Sequence, residues 1–483
     1  MMEKYYYLSI DRGQTGIKAA ICDENAEVLF VESCKCQPIQ SPKPGYAEQD
    51  MNIIWEQTVR VIRELLDKHK VLPETIAAVS FSGQGGGNFL VSKDGKAIYP
   101  GVLSLDNRHE EVLDKIENPE RIDIPRTISF MRWLKENEPD VFERTGWILG
   151  SKDWLRFCMT GKANADMSDT PAPVDYEHRK YLTETLEVAG VPECESMLPE
   201  LCYASEVCGS ITKEAAERTG LLEGTPVAAG AHDMIACSAG AGGNKPGHLT
   251  IIMGTLGINI AVADANVELP APERAGESFT FAGVTKDVMT ATTSIGSACN
   301  TMNWFLNMLF PDVIKEAESK EIGIFELLEQ KLEGRDVTPV EFYPYLMGTF
   351  YNSSATAGFS NITACTSRED IVLSMFQGIC ISMCIEIQKL EKRVQHFEQI
   401  YMVGGGSKSN ICGQMFADVL DRPIHICRTS EVGCRGAAIC AGIALGKMSF
   451  DRSFPMPKIR KTYYPRREYT EKYQKQLNKY YRV

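Results

Sequence analysis

Five short segments of this 483-residue chain put carboxylates, amides and glycines where chemistry could be done. The first is Asp11-Arg12-Gly13-Gln14-Thr15-Gly16, directly after a β-rich run at 5–10. A carboxylate at a strand end can orient a hydrated Mg²⁺, while the N–H groups of a glycine turn face phosphate oxygens. An ordinary hairpin would look the same. The second is Gly230-Ala231-His232-Asp233, between the apolar run Val227-Ala228-Ala229 and a small-residue segment, 234–242, that reads as a tightly packed helix. Asp233 falls at the N-terminus of that helix, where a carboxylate is a good cap and where a reactive role is also compatible. His232 reads as a packed neighbour, since no second His or Cys stands at a ligand spacing. The third, Gly254-Thr255-Leu256-Gly257, is either a second phosphate cradle or a plain turn. The fourth is Gly404-Gly405-Gly406-Ser407-Lys408-Ser409-Asn410. Three consecutive glycines let a flat ring or a phosphate approach the backbone closely, at an entropic cost an idle loop would avoid. The fifth, Ser82-Gly83-Gln84-Gly85-Gly86-Gly87-Asn88, is glycine-dense at a strand end and is followed by Leu103-Ser104-Leu105-Asp106-Asn107-Arg108. Gln84, Asp106 and Arg108 could hydrogen-bond a polyhydroxylated ligand or form a solvated rim.

The elements that must hold these segments follow one rhythm, used twice. In the first half, strand-like runs at 5–10, 17–22 and 28–32 are split by turns, and 51–68 carries Ile54, Val59, Ile62, Leu65 and Leu66 at helical spacing. A buried-strand pattern at 76–81 then leads into Ser82-Gly83-Gln84. In the second half, 249–253 runs into Gly254-Thr255-Leu256-Gly257 and a returning strand at 258–262. Helices are expected at 297–309 and 368–397, a strand at 400–403 enters the glycine triplet, and the tail from 454 reads as a terminal helix. Two units that each start with a strand, a glycine turn and a returning strand suggest a duplication, with a ligand site in the cleft between them. Length agrees, since 483 residues exceed what one hydrophobic core supports. The boundary is expected where Gly, Asn and Pro crowd at 240–247, giving domains 1–243 and 244–483.

Bulk properties narrow the class. The hydrophobic fraction of 44% and charged fraction of 24% are those of a soluble globular protein. The net charge of −13, with Lys458-Ile459-Arg460-Lys461 the single basic cluster, argues against a nucleic-acid partner. No run of about 18 apolar residues appears, which argues against a membrane span. Residues 1–7 lack the pattern of a signal peptide. The 16 cysteines are scattered, and the pairs Cys34/Cys36 and Cys380/Cys384 have no partner pair at zinc spacing. They read as reduced thiols of a cytoplasmic protein, with no structural metal. The chain has no Walker loop, no G-x-G-x-x-G after its first strand and no G-x-S-x-G elbow.

In this order and at these separations, the five segments resemble the FGGY carbohydrate kinases, and the resemblance runs over essentially the whole chain. The family's first phosphate motif, D-x-G-T-T-S-x-R, reads here Asp11-Arg12-Gly13-Gln14-Thr15-Gly16-Ile17-Lys18, departing at Gln14, Gly16 and Lys18. G-x-x-D matches 230–233, G-T-x-G matches 254–257, and G-G-G-x-x-S/N matches 404–409. The resemblance implies an α/β, two-domain, actin-like (ribonuclease H-like) ATPase fold, with duplicated mixed sheets flanked by helices and an interdomain cleft. It implies a sugar-binding N-terminal domain with Asp233 as catalytic base and an ATP-binding C-terminal domain. Asp11 would hold Mg²⁺ through water, and Gly13, Thr15, Lys18, Gly254, Thr255, Gly404, Gly405, Gly406 and Ser409 would contact ATP. Gln84, Gly85, Asp106, Arg108 and Asp233 would meet the sugar. D-xylulose kinases carry Gln-Met-His-Gly where this chain has Gln84-Gly85-Gly86-Gly87, a pattern closer to the L-xylulose kinase branch. The expected acceptor is a ketopentose, L-xylulose first, with D-xylulose, gluconate, glycerol or erythritol as alternatives. Expected partners are a small sugar and ATP, in a homodimer, with neither nucleic acid nor membrane. From other classes, an actin-like ATPase or a non-catalytic sugar-binding regulator would share parts of the pattern.

Overall fold

The computed structural model describes residues 4–116, 126–274, 276–349, 352–450 and 454–480. The chain divides into two compact units: 1–240 with 281–286 and 431–455, and 241–280 with 287–430 and 456–483. Residues 1–3, part of the segment inspected for a leader, lie outside the described residues.

The first unit is built on a seven-stranded mixed sheet. Its opening strands, Tyr6–Arg12, Gly16–Cys22 and Val28–Lys35, form an antiparallel meander. The strand Ile76–Gly83 then lies parallel to Tyr6–Arg12, on the side away from the meander. A crossover of that kind needs a covering helix. Met51–His69 supplies it, capped by the Asp50 carboxylate, which accepts the N–H groups of Asn52 and Ile53, and closed by Lys70 at φ 54°. Its buried face of Ile54, Trp55, Ile62 and Leu65 packs on Leu8, Ile10 and Ile17 of the sheet. Burying each such side chain contributes about 1.5–3 kcal/mol.

The second unit repeats the plan. Its seven-stranded sheet opens on the antiparallel pair His248–Met253 and Gly257–Asp264, and Gln399–Val403 runs parallel beside the first of these. The helix Arg368–Arg393 starts on a Ser367/Asp370 capping box. By length and composition it could cross a membrane, yet most of it is buried in the core of this unit, against Met253, Phe342, Ile400 and Met402.

Two elements differ from expectation. The tail is first a strand, Ile459–Tyr463, and only then a helix, Arg467–Tyr480. The strand pairs antiparallel with Ile424–Cys427, and its exposed Ile459, Arg460 and Lys461 suit a sheet edge. Residues 431–455 belong to the first unit, although they stand late in the chain. Their helix Val432–Ala444 places Cys434, Ala438, Ile439 and Ala441 on Tyr7, Ala20, Cys22 and Ala78 of the first sheet.

Candidate active site

Three strand ends assemble the polar centre of the first unit. Tyr6–Arg12, Ile76–Gly83 and the short strand Ala231–His232 run parallel, with Asp11 opposite Ser82 and Ala231 opposite the same Ser82. Their carboxyl ends therefore bring Asp11, Gln84 and Asp233 to one edge, the place where open α/β sheets bind ligands. The route to Asp233 depends on Gly230, at φ +74°, where an added Cβ would stand 2.1 Å from Phe81 O.

Asp233 opens the helix Asp233–Ala241. Its side chain is 38% exposed and, among the described residues, pairs with His232 Nδ1 at 3.1 Å. It does not act as the cap: the Met234 N–H is directed instead at His232 Nδ1, 3.2 Å away. His232 is thus more than a packed neighbour. Its backbone N–H donates to Ser168 Oγ at 2.9 Å, and its ring stacks on Phe281. Burial works against the imidazolium, but Asp233, and behind it Asp169, hold the His232 pKa above its ordinary value.

Asp11 accepts a hydrogen bond from Ser82 Oγ at 2.8 Å. Burial pushes its carboxyl up to about 6, with the negative charges of Asp233 and Glu431 adding to the rise and the Ser82 bond and Lys18 opposing it. Lys18, across the hairpin from Asp11, pairs with Glu431 at 2.6 Å. Gly13 N–H donates to Gly16 O at 2.9 Å, and Thr15 is exposed at the turn. The surplus of carboxylates fits a divalent cation. Among the described residues no three His, Cys, Asp or Glu converge, so an ion would be held by Asp11 with water and phosphate oxygens, as Mg²⁺ commonly is.

Gln84 is buried, and among the described residues neither atom of its amide has a hydrogen-bond partner, nor does Asn88 Oδ1. Buried amides left this way cost about 1–3 kcal/mol each, which a hydroxylated ligand would recover. At Gly85 an added Cβ would stand 2.0 Å from the His232 ring and 2.8 Å from Asp169 Oδ1, so only glycine leaves that approach open. Gly86 N–H donates to Asp169 Oδ1 at 3.1 Å.

Asp106 and Arg108 behave differently from expectation. Asp106 Oδ2 accepts the Ala47 N–H at 2.7 Å, and its two oxygens accept Arg108 Nε and Nη2. Arg108 is fully buried, donates also to Glu48 at 2.6 Å and Tyr99 at 3.0 Å, and lies 3.8 Å from the Tyr46 ring centroid. Its donors are engaged inside the protein, so Arg108 fixes Asp106 rather than presenting itself to a ligand. Asp106 nevertheless lines a small, partly open pocket with Gly86, Asn88, His109, Arg126 and Phe130.

Sequence inspection missed Asp169 and the buried cluster behind it. Lys152 pairs with Asp153 at 2.8 Å and with Asp166, while Arg156 pairs with Asp153 at 2.8 Å. The available signal was Lys152-Asp153 and Arg156 lying among Trp154 and Leu155, charges in a helix that has no polar face to spare.

The second unit carries the other glycine turns. Gly254 N–H donates to Leu256 O, and the Gly254 and Thr255 carbonyls accept the N–H groups of Cys299 and Ala298, docking the turn on the helix Cys299–Leu309. Thr255 is exposed. Parallel pairing of Ile252 with Val403 sets Gly404 beside this turn, at φ +87°, where a Cβ would stand 2.6 Å from Met253 O. Gly405 has open space around it and Gly406 packs on Met253, so the triplet presents bare backbone, as an adenine or phosphate group requires. Ser409 is the N-cap of the helix Asn410–Leu420, its Oγ accepting Cys412 N–H at 3.3 Å.

A duplicated pair of mixed sheets, with glycine turns and carboxylates at the strand ends, defines the two-domain actin-like α/β phosphotransferases. Within that class the chain belongs to the FGGY family of carbohydrate kinases, whose N-terminal domain matches residues 6–240 and whose C-terminal domain matches 249–445. It is a sugar kinase, an enzyme that phosphorylates an alcohol group. The chain is 29% identical to a probable L-xylulose kinase of Haemophilus influenzae, over 99% of this chain and 98% of that protein. It is 28% identical to the L-xylulose/3-keto-L-gulonate kinase of Escherichia coli, over 91% of this chain and 88% of that one. The crystal structure of a xyloylose kinase from Brucella ovis superposes with a TM-score of 0.86 at 24% identity, covering 99% of this chain and 98% of that chain.

Proposed function

We propose that this chain transfers the γ-phosphoryl group of ATP to a hydroxyl of a ketopentose, L-xylulose first, with Asp233 as general base. The observation that carries the proposal is the Asp233 carboxylate, partly exposed at a strand end and, among the described residues, without a capping bond and paired with His232. Such a group is free to accept the proton of an attacking hydroxyl. Gln84, Asn88 and the Gly85-Gly86 backbone bind and orient the acceptor, and residues 254–257 and 404–406 bind the nucleotide. Asp11 would hold a Mg²⁺ through water, and the ion would supply positive charge against the phosphate oxygens. Asp11 and Lys18 set the field around that ion, and positioning with electrostatics then supplies most of the acceleration.

The ketopentose is supported by the names of the relatives above and by the turn itself. At Gly86 there is no side chain to bond a sugar hydroxyl, whereas a histidine there would select one stereoisomer. One such bond, at roughly 1.4 kcal/mol, is worth about tenfold in kcat/KM. The test is a coupled assay of the purified full chain with L-xylulose, D-xylulose, glycerol, gluconate and erythritol. L-xylulose should exceed D-xylulose and glycerol. A preference for D-xylulose or glycerol would overturn the choice of acceptor, and no phosphorylation of any of them would overturn the proposal.

A further inference from the structure

The turn after the strand Ile76–Gly83 is gripped from two sides. Gly86 N–H donates to Asp169 Oδ1 at 3.1 Å. One residue earlier, the Cβ that Gly85 lacks would stand 2.2 Å from His232 Nε2 and 2.8 Å from the same Asp169 Oδ1. The Gly85 backbone is thus wedged between an imidazole and a carboxylate. The other nitrogen of that imidazole, Nδ1, lies 3.1 Å from Asp233 Oδ1. A single ring therefore packs on the turn with one edge and meets Asp233 with the other.

Both halves of the grip are anchored in one short stretch of chain. Asp166 closes the strand Asn164–Asp166, and its Oδ1 accepts the Ser168 N–H at 2.9 Å and the Ser168 hydroxyl. Ser168 Oγ in turn accepts the His232 N–H at 2.9 Å. The Asp169 N–H donates to Asp166 O at 3.0 Å. Asp166 is itself fixed by the fully buried Lys152, whose Cβ lies 2.8 Å from the place a Gly83 Cβ would take. Residues 166–169 thus hold His232 and Gly86 by their backbones, and their own footing is packed against the end of the strand Ile76–Gly83. Asp169 Oδ2 is buried and has no hydrogen-bond partner among the described residues. A carboxylate oxygen left that way costs free energy, which points to a task beyond stability.

We infer that Asp169 is a positioning residue for phosphoryl transfer: it holds the Gly85-Gly86 turn against the His232 ring, so that the acceptor hydroxyl and the Asp233 carboxylate keep one register. The inference rests on the acceptor turn and the base proposed above. Asp169 moves no proton in this role; it sets where the turn stands relative to the ring. A misplacement of about 1 Å between reacting groups can cost about 10²-fold in rate, so one tie to a backbone N–H is enough to matter.

The experiment measures kcat, acceptor KM and ATP KM for the full chain and its Asp169→Ala, Asp169→Asn and Gly85→Ala variants, with the best acceptor of the panel above. Asp169→Ala removes the tie and should lower kcat by about 10- to 100-fold and raise the acceptor KM. ATP KM should stay within about twofold, since nucleotide binding does not use the turn. Asp169→Asn keeps an oxygen for the Gly86 N–H and should recover most of the loss. Gly85→Ala pushes the ring off the turn from the other side and should show the same defect. The double variant Gly85→Ala/Asp169→Ala should be little worse than either single one, because both break the same contact. Natural kcat and acceptor KM in Asp169→Ala overturn the inference. So do an Asp169→Asn no better than Asp169→Ala, and losses that multiply in the double variant. A loss that only follows the folded fraction, or that raises ATP KM equally, assigns Asp169 to the fold and overturns it as well. If Asp169→Ala does not fold, Gly85→Ala decides, by whether its defect is confined to kcat and acceptor KM. Natural turnover in Asp233→Asn would instead remove the base on which the inference rests.

Discussion

The chemistry of single residues divides into what residue type announces and what only burial reveals. Asp233, Asp11 and Gln84 stand out in the sequence as a carboxylate or amide beside a glycine turn, and the structure brings all three to the carboxyl ends of neighbouring parallel strands. Arg108 was legible as important but not in its task, since only the fold shows its guanidinium locked onto Asp106 and Glu48. Asp169 was invisible, because its setting depends on Lys152 and Gly86, far away in sequence. Two predictions belong to this scale. Asp233→Asn should lose 10²- to 10⁴-fold in turnover, as removal of a general base does. Nucleotide affinity and melting temperature should hold, because the side chain caps nothing; retained turnover would exclude the basic role. The second concerns Asp11, whose carboxyl is raised to about 6. Between the ordinary carboxylate value of about 4 and pH 6, the folded protein holds a proton there that the unfolded chain releases. The ligand-free protein should therefore be stabilised by this group at low pH and lose that contribution as pH rises through about 6, relative to Asp11→Asn. A Mg²⁺ held through Asp11, as proposed above, would have to displace the same proton, so the apparent affinity read by Mg²⁺-induced thermal shift should weaken below pH 6 and stay flat above it.

At the scale of elements, periodicity was enough for the strands and for the helix Met51–His69, whose apolar spacing is regular and whose Asp50 cap stands in the sequence. It was not enough for the tail, where a charged edge strand carries no alternation. Nor does it show why the helix Asp233–Ala241 is rich in small residues. That helix crosses Val432–Ala444 at backbone contact: a Cβ at Gly240 would stand 1.9 Å from Val432 O, and one at Gly436 would stand 1.9 Å from Ala236 O. Gly436→Ala should therefore force the helices apart. The expected cost is about 1–3 kcal/mol, as for other overpacked contacts, seen as a lower urea midpoint. Because the helix that moves begins at Asp233, activity should fall further than the loss of folded protein explains. A variant with natural activity and midpoint would show that the crossing is slack.

For the whole molecule, duplication was readable from the repeated strand, glycine turn and returning strand, and each sheet does open that way. What could not be read was where the chain goes last. The helix Val432–Ala444 covers a face of the first sheet, far along the chain from the strands Tyr6–Arg12, Gly16–Cys22 and Ile76–Gly83 that it meets, and its apolar composition suits either unit equally. Its contacts with Tyr7, Ala20, Cys22 and Ala78, extended by Met448 and Phe454, close a core that 1–240 alone leaves open to water. Each large side chain there contributes about 1.5–3 kcal/mol, several together being comparable with the whole stability of a domain. A fragment ending near 240 should therefore expose an apolar sheet face, bind a hydrophobic dye and aggregate. Joining 431–455 to it through a flexible linker in place of 241–430 should restore a soluble unit with a cooperative thermal transition. Equal solubility and melting of the two fragments would mean that the returning helix is dispensable to the first unit. It would also mean that the carboxylates at its strand ends are held by the first sheet alone.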